Sequence, residues 1–463
     1  MRRISRLLIV LIVFSFTTTL FGADALAPGL REKIDDAVTK GLEKSGAPSA
    51  SIAVVRNGQI VYTNAYGLAQ LKPRRAATAG MRYSIGSISK QFTAASILLL
   101  AEEGKISLDD KLVRWFPELT RSNEVTVREI LSMTSGYQDF WPQDYVMPRM
   151  MHPVTPQEIL DEWAKKPLDF EPGTQYQYSN TNYVIAGALV QKVAGMPIGE
   201  FLQQHVFGPL GMASVTDSDR AALGADQPMR YRRFALGPLR PAPKEGPGWM
   251  FAAGELAMTA HDLALWDIAM MDRKILSPES WKKMETEVRL ANGVGANYGL
   301  GVGVSESHGH RLISHGGEVS GFTARNSVYP DDATAVVVLT NLDATSASSD
   351  IASKIAELLF ETTDQKALEQ AKAIFATLQK GAIDRSLLTA NANAYFSDEG
   401  LRDFASSLGP LGKPESFTQQ SQSLRGGMTL RRYTVKFPEK TLRITTFTLP
   451  DGKFEQYMVA AAD

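Results

Sequence analysis

The sequence predicts a mixed α/β protein built from two folded units. Strands are indicated near the start of the chain and again after residue 297, with helices between them. Both groups of strands are therefore expected to share one discontinuous α/β unit. After Thr362 a pattern of helix followed by strands begins again, and 463 residues are too many for one ordinary core. We predict a main domain over residues 28–362 and a separate α+β accessory domain over 365–463.

Composition excludes several classes of function. The formal net charge is −1, so no strong attraction to nucleic acid is expected and no nucleic-acid partner is predicted. Hydrophobic residues make up 44% of the chain, which is typical of a globular protein. The chain has no cysteine, which excludes disulfide bonds and a thiol nucleophile.

The N-terminal segment has the pattern of a secretory signal peptide. Arg2, Arg3 and Arg6 precede an apolar run over residues 7–16, and Ala23-Asp24-Ala25 offers a small-residue cleavage site. The apolar run is short for a membrane span. We predict that residues 1–25 are removed, that no stable membrane span remains, and that the protein is secreted across the inner membrane, to the periplasm.

Periodicity predicts the elements of the main domain in order. A helix is indicated by apolar residues at four-residue spacing, and Asn57-Gly58 between two β-rich runs predicts a hairpin. The apolar positions of that helix are Leu30, Ile34, Val38 and Leu42. Further helices are expected over 87–103, 126–133, 182–194, 263–271 and 351–360, and strands over 298–304, 312–313, 322–329 and 335–340.

Two irregular stretches interrupt these elements, and the accessory domain follows them. Residues 137–156 are rich in aromatic residues and proline and are interpreted as a loop that walls a pocket, whereas residues 220–250 are interpreted as a surface excursion. The accessory domain is expected to contain a helix over 365–379 and strands over 429–437, 442–449 and 454–459.

Ser87 and Lys90 stand at the start of a helix that is apolar on nearly every side. Positions i and i+3 are neighbours on a helix, so the serine hydroxyl and the lysine amine can meet. A helix of this kind is buried, and polar groups at its end are costly unless they are paired or face a cleft. Burial also lowers a lysine pKa toward neutrality, which lets the amine accept the hydroxyl proton. The pair is therefore a candidate nucleophile and base.

Alone, this spacing is a weak signal. The chain contains a second match, Ser280 with Lys283, that has no comparable apolar helix behind it. Two further stretches strengthen the first one. Tyr178-Ser179-Asn180 supplies a phenol that can relay protons and an amide that can hold a substrate. His315-Gly316-Gly317 lies beside a predicted strand, where the next N–H, of Glu318, can donate to an oxyanion.

These three stretches resemble, in order and approximate spacing, the motifs of penicillin-recognising serine hydrolases. That family includes class C β-lactamases, D-Ala-D-Ala carboxypeptidases, D-aminopeptidases and related esterases. The flanking segments 99–111, 126–136, 171–187 and 252–266 are similar too, and the resemblance spans roughly residues 30–360. It implies the β-lactamase-like fold, in which an antiparallel sheet has helices on both faces and the site lies between this sheet and an all-helical subdomain.

The resemblance also implies a role for each motif residue. Ser87 is the implied acylated nucleophile, Lys90 its base or proton partner, and Tyr178 a general base or acid. Asn180 is the implied ligand of substrate and lysine, and the N–H groups of Ser87 and Glu318, beside Gly317, form the implied oxyanion hole. The choice between Lys90 and Tyr178 as acylation base stays open at this stage.

Two residues depart from the family pattern. His315 stands where β-lactamases and carboxypeptidases usually have lysine, and an imidazole with an ordinary pKa of about 6.5 is mostly neutral at pH 7. Recognition of a substrate carboxylate is expected to weaken, and the histidine resembles the D-aminopeptidase and esterase branches. Glu255 stands where a second glycine is common, and it is interpreted as part of a surface loop.

The sequence thus predicts a serine hydrolase that acts by an acyl-enzyme on esters or small peptide and amide substrates. A β-lactamase or D-Ala-D-Ala carboxypeptidase is the first alternative, and a catalytically silent protein that binds cell-wall peptides is another. No metal and no cofactor are predicted, because His308 and His310 lack further ligands at zinc spacing. The oligomeric state stays open, as does a structural, oligomeric or lid role for the accessory domain.

Overall fold

The structure, a computed structural model, describes residues 26–143 and 145–462, with the backbone alone for 361–364. The predicted signal peptide lies outside the described residues. The helices are α1 Pro28–Ser45, α2 Ser89–Glu102, α3 Val127–Leu131, α4 Pro156–Ile159, α5 Asn180–Ala194, α6 Ile198–Leu202, α7 Gly208–Leu210, α8 Ala260–Met271, α9 Pro278–Met284, α10 Ala347–Leu378, α11 Ala390–Tyr395 and α12 Asp398–Leu408. The strands are β1 Ser49–Arg56, β2 Gln59–Gln70, β3 Arg75–Ala76, β4 Tyr83–Ser84, β5 Thr216–Asp217, β6 Tyr231–Arg232, β7 Arg240–Pro241, β8 Leu256–Met258, β9 Gly303–Ser307, β10 His310–Val319, β11 Phe322–Tyr329, β12 Thr334–Thr340, β13 Ser416–Arg425, β14 Met428–Lys436, β15 Thr441–Thr448 and β16 Phe454–Ala461. Short 3₁₀ or π turns lie at Gly86–Ile88, Leu112–Arg114, Pro148–Met151, Leu160–Ala164, Gln203–Phe207, Pro330–Asp332, Arg385–Leu387 and Gly409–Leu411.

The main sheet joins the two ends of the main domain. Its seven strands have the order β3-β2-β1-β12-β11-β10-β9, and every neighbouring pair is antiparallel. The predicted hairpin is present, and Asn57 and Gly58 both have the positive φ angles that a tight two-residue turn requires. Strand β1 pairs with β12, so the N-terminal hairpin rejoins the late strands as the sequence predicted.

Alternating residues of these strands bury both faces of the sheet. Ile52 and Val54 of β1 pack with α1 and α10, whereas Ala53 and Val55 belong to the larger cluster that contains α2 and α8. Burial of apolar side chains stabilises a fold by about 25 cal/mol per Å² removed from water. Because alternate residues of β1 are buried on opposite faces of the sheet, the same strand stabilises the helical layers on both sides. The antiparallel sheet with helices on both faces is the arrangement predicted for the main domain.

The segment between β3 and β9 packs α8 on one face of the main sheet and forms the second lobe of the main domain with its other elements. It carries helices α2 to α9 and two small sheets, β4-β8-β5 and β6-β7. Among the described residues no single helix is long and apolar enough to cross a membrane, although the bent pair Asn180–Ala194 and Ile198–Leu210 passes the same test of length and composition.

Two predictions for the main domain are wrong. Residues 298–302 are not a strand; they turn tightly, because Gly301 has a φ of 76° and an added Cβ there would lie 2.9 Å from the carbonyl oxygen of Lys90. Residues 220–250 are not only a surface excursion. Tyr231, Glu245 and Trp249 are buried, because this segment packs beside the sheet and helps to line the main pocket.

The accessory unit is a four-stranded antiparallel sheet, β13 to β16, with helices packed on one face. Strand β13 was not predicted, because its polar sequence leaves only Phe417 buried on the core side. Helix α10 is continuous from Ala347 to Leu378 and runs through the predicted boundary at 362–365. The domain limits themselves stay a prediction.

Candidate active site

Ser87 lies in the 3₁₀ turn Gly86–Ile88, directly before α2. Its neighbours Gly86 and Ile88 are buried, whereas Ser87 itself is half-exposed and lines the main pocket. The Nζ of Lys90, on the first turn of α2, is 2.9 Å from the Ser87 Oγ. The buried helix therefore presents one hydroxyl to the pocket with an amine in direct contact.

Lys90 is fully buried and has three oxygen neighbours. Besides Ser87, its Nζ contacts the Asn180 Oδ1 at 2.8 Å and the carbonyl oxygen of Ala253 at 2.7 Å. Burial lowers the pKa of Lys90 to about 7, although Asp139 and Glu255 act in the opposite direction. A neutral amine donates to Asn180 and Ala253 and keeps a lone pair for the Ser87 proton. The geometry and the pKa both suit a general base near neutral pH.

Tyr178 covers the other side of this pair. The Lys90 Nζ is 5.0 Å from the centre of the Tyr178 ring. Burial raises the pKa of Tyr178 above its ordinary value, and the nearby Ser87 lowers it only in part. The Tyr178 hydroxyl has no hydrogen-bond partner among the described side chains and backbone groups. A protonated phenol with an unused donor is suited to giving a proton to a leaving group.

Asp139 fixes Asn180 and was not identified from the sequence. Its Oδ1 accepts the Asn180 backbone N–H at 2.9 Å, and its Oδ2 accepts the Asn180 side-chain N–H at 3.3 Å. These contacts orient the amide so that Oδ1 faces Lys90. Asp139 is half-buried and lines the pocket. The sequence feature that could have indicated Asp139 is its position in the aromatic loop 137–156. That loop lines the pocket, as predicted.

His315 is neutral and its tautomer is fixed. It lies on β10, where burial, followed by the positive charge of Lys90, lowers its pKa to about 3. The Nδ1 hydrogen bond to the Gly316 carbonyl requires a proton on Nδ1, because a carbonyl oxygen only accepts. The Nε2 therefore accepts from the Tyr298 hydroxyl at 2.9 Å. The third motif thus brings no positive charge from its histidine to the pocket.

Two glycines bring β10 against the nucleophile turn. A Cβ added to Gly317 would lie 1.8 Å from the carbonyl oxygen of Ile85, and one added to Gly86 would lie 2.7 Å from the Glu318 nitrogen. The backbone of Glu318 therefore passes directly beside the turn that holds Ser87. This approach is what a pair of N–H donors from Ser87 and Glu318 needs in order to act on one oxygen atom.

Gly317→Ala is expected to lower kcat/KM by roughly 10²-fold or more, because the methyl group forces β10 away from Ser87 and separates the two donors. Gly316→Ala is the matched control. Its added methyl meets only an Arg325 side-chain atom, at 3.9 Å, so it is expected to cost much less. Steady-state kinetics on one ester substrate checks this, and equal losses in the two variants would contradict it.

Glu255 corrects the interpretation from sequence. It is not on a surface loop: it is 5% exposed, and its Oε2 has no hydrogen-bond partner in the described part of the chain. Burial raises the pKa of Glu255 to about 8, and nearby Asp217 and Asp219 raise it further. The side chain is therefore mostly neutral at pH 7, close enough to Lys90 to affect its pKa when ionised.

The structure thus places Ser87, Tyr178, Asn180 and His315 on the lining of one pocket of about 630 Å³, together with Gly317 and Glu318. Lys90 does not line this pocket but contacts Ser87 from the buried first turn of α2. Sequence reasoning missed Asp139, Tyr298 and the Ala253 carbonyl. The second motif-like pair, Ser280 and Lys283, lies on α9 and does not line this pocket. Within residues 26–143 and 145–462, no three histidine or carboxylate side chains cluster in a way that could hold a metal ion.

Comparison with known proteins shows which chains this one is similar to. The family model described as Beta-lactamase matches residues 34–359. Penicillin-binding protein 4* of Bacillus subtilis (strain 168) is 25% identical over 386 residues, which cover 78% of this chain and 84% of that protein. D-aminopeptidase of Brucella anthropi is 27% identical over 317 residues, which cover 66% of this chain but only 58% of that protein.

A solved structure extends the likeness beyond the main domain. The octameric penicillin-binding protein homologue from Pyrococcus abyssi superposes with a TM-score of 0.63, covering 93% of this chain and 99% of that chain. At 22% identity this is a likeness of fold alone. It includes most of the accessory unit as well as the lobes around the pocket.

Proposed function

The chain belongs to the beta-lactamase family of serine hydrolases, and we propose that it cleaves small amides or esters through an acyl-enzyme on Ser87. The observation that carries this proposal is the contact of 2.9 Å between the Ser87 hydroxyl and a buried lysine whose pKa is near 7. A serine with a neutral amine in contact is an activated nucleophile.

In the acylation step, the neutral amine of Lys90 takes the Ser87 proton while the Oγ attacks the substrate carbonyl. The oxyanion that forms faces the N–H groups of Ser87 and Glu318. When the C–N or C–O bond breaks, the proton held by Lys90 passes through the Tyr178 hydroxyl to the leaving group. Water then attacks the acyl-enzyme with help from the same groups and releases the acid and free Ser87.

The pKa values favour Lys90 over Tyr178 as the acylation base. Burial moves the lysine toward neutrality, which frees its lone pair, but it moves the phenol away from ionisation. A phenolate is therefore scarce at neutral pH, whereas about half of the lysine is already deprotonated at pH 7. In this proposal Tyr178 acts as an acid and relay.

The pocket favours an acyl group that carries a free amine. His315 is neutral, so it does not attract a substrate carboxylate in the way a cationic third-motif lysine would. Asp139 instead places a carboxylate beside Asn180 on the pocket wall. A substrate amine can pair with that carboxylate. We therefore expect amino-acid amides and small peptides as substrates. The similarity to a D-aminopeptidase supports this expectation and makes D-amino acids the stereochemistry to test first.

The wild-type enzyme is expected to cleave D-alaninamide at least about tenfold faster, in kcat/KM, than N-acetyl-D-alaninamide, because acetylation removes the amine charge. Asp139→Asn should shrink that ratio toward one. Asp169→Asn, a change of an exposed aspartate outside this pocket, should leave the ratio as it is. Nitrocefin turnover measured beside these substrates tests the β-lactamase alternative, and fast nitrocefin cleavage with poor amide cleavage would contradict the proposed preference.

We also propose that the enzyme works outside the cytoplasm, in the periplasm. The support is the sequence of residues 1–25, with three arginines, an apolar run and a small-residue cleavage site. N-terminal sequencing of the exported protein should begin at Leu26, and a mature chain that retains Met1 would contradict this proposal.

A further inference from the structure

A buried polar network lies between strand β11 and the helices α2 and α8. It is built around Asn326, a fully buried residue of β11. The Asn326 Oδ1 accepts the His315 backbone N–H at 3.2 Å and the Gln91 Nε2 at 3.0 Å. Its Nδ2 donates to the Asp267 Oδ1 at 2.8 Å and to the Gln91 Oε1 at 3.3 Å. The amide thus uses both of its hydrogens and both of its lone pairs.

This network contacts the catalytic groups from two sides. Gln91 follows Lys90 on α2, and His315 lies three residues before Glu318 on β10. The pairing of β9 with β10 stops one residue before His315, whose backbone N–H is accepted by the Asn326 side chain. One amide therefore joins the helix that holds the proposed base to the strand that holds a proposed oxyanion donor.

Asp267 indicates that the network does more than fill space. This residue of α8 is fully buried, and its Oδ2 has no hydrogen-bond partner in the described part of the chain. Such a group costs stability, and an apolar side chain would occupy the same place at less cost. Asp267 does supply an acceptor. Because the His315 N–H only donates and an ionised carboxylate only accepts, the two contacts allow a single orientation of the Asn326 amide.

We propose that Asn326 is a positioning residue that holds β10 in place against α2 and thereby sets the distance of the Glu318 N–H from Ser87. This inference rests on the proposed acyl transfer to Ser87. Asn326 does not line the main pocket, so it acts through the backbone of β10 and not on the substrate. Oxyanion donors act within about 2.7–3.1 Å of the oxygen, so a small shift of β10 is enough to weaken one of them.

The test compares p-nitrophenyl acetate with its thiono analogue, which carries sulfur in place of the carbonyl oxygen. Sulfur is a weak hydrogen-bond acceptor, so well-placed oxyanion donors favour the oxygen ester. Asn326→Ala is expected to lower kcat/KM for the oxygen ester at least about tenfold and the oxygen-to-sulfur ratio at least about fivefold, because one such donor contributes roughly 10²- to 10³-fold. Unfolding of part of the sample would lower both rates equally and leave the ratio unchanged.

Two further variants complete the design. Ser327→Ala is the matched control, because Ser327 is the next residue of β11, is also buried and faces the other side of the sheet. It is expected to keep the wild-type ratio. Gln91→Met has a side chain of similar length without the amide, so it removes the link from α2 while Asn326 keeps its other contacts. Its ratio is expected to fall as well, and it decides the test if Asn326→Ala does not fold.

The outcomes separate this inference from the proposed function. An unchanged ratio in folded Asn326→Ala, or in Gln91→Met where only that variant folds, would overturn the inference while leaving the acyl-enzyme intact. An equal fall in Ser327→Ala, or failure of both network variants to fold, would show a purely structural role and overturn it too. If a fluorophosphonate does not label Ser87 in the folded wild-type protein, acyl transfer itself is contradicted, and this inference with it.

Discussion

Ser87→Ala is expected to lower kcat/KM for every substrate by about 10⁴-fold or more, because the variant has no atom that can carry the acyl group. The fold should be unaffected. Ser87 is half-exposed in the turn directly before α2. Loss of its hydroxyl removes one contact of the Lys90 amine, and the contacts with Asn180 and Ala253 remain. Steady-state kinetics, together with a thermal melt of both proteins, separates loss of chemistry from loss of structure.

Ser280→Ala provides the matched control for this prediction. Ser280 is the first residue of the second serine–lysine pair at the same spacing, on α9, and it is buried outside the main pocket. Its variant is expected to retain turnover within a few-fold of wild type. A loss in Ser280→Ala equal to that in Ser87→Ala would contradict the assignment of the nucleophile.

Lys90→Met is expected to lower kcat/KM by about 10²- to 10⁴-fold, the usual contribution of a general base. The methionine fills similar space in the buried site but cannot accept the Ser87 proton. Lys90→Arg is the informative companion, because a guanidinium keeps the positive charge and stays protonated at any pH tested. It is expected to be as inactive as Lys90→Met, whereas substantial activity in Lys90→Arg would contradict the role of Lys90 as a base.

The pH dependence of kcat/KM in the wild-type enzyme is expected to follow the titration of the Lys90 amine. Because only the neutral amine is active and its pKa is about 7, kcat/KM should fall tenfold per pH unit well below pH 7 and level off above it. His315, with a pKa lowered to about 3, does not contribute to this limb. If kcat/KM instead began to fall below a pH near 10.5, the ordinary pKa of lysine, the lowered pKa assigned to Lys90 would be contradicted.

The framework of the site could be predicted from the sequence because its motif residues lie on regular elements or directly before them. The apolar residues around α2 predicted burial of Lys90, and Asn57-Gly58 predicted the hairpin that rejoins the late strands. Such patterns are local, so they can be recognised without knowing which segments meet. The roles of Ser87, Lys90 and Tyr178 follow from those positions and stay predictions until variants are measured.

Contacts between distant segments could not be predicted in this way. Glu255 is buried because β8 pairs with β4 and β5 just after it, which no local pattern reveals. Asp139 and Arg232 lie in segments without a helical or strand pattern, which sequence analysis predicts as loops. Tertiary packing places both residues on the lining of the pocket. Strand β13 shows the same limit, because its polar residues pair with β14 without an alternating apolar pattern.

The central claim is an acyl group on Ser87, and peptide-mapped mass spectrometry tests it most directly. Wild-type protein is quenched during turnover of a slowly released p-nitrophenyl ester, digested and mapped. We expect the mass of the acyl group on the peptide that contains Ser87, and no such mass in Ser87→Ala. An acyl mass on Ser280 or another residue, or turnover without any trapped acyl group in a rapid quench, would contradict the account.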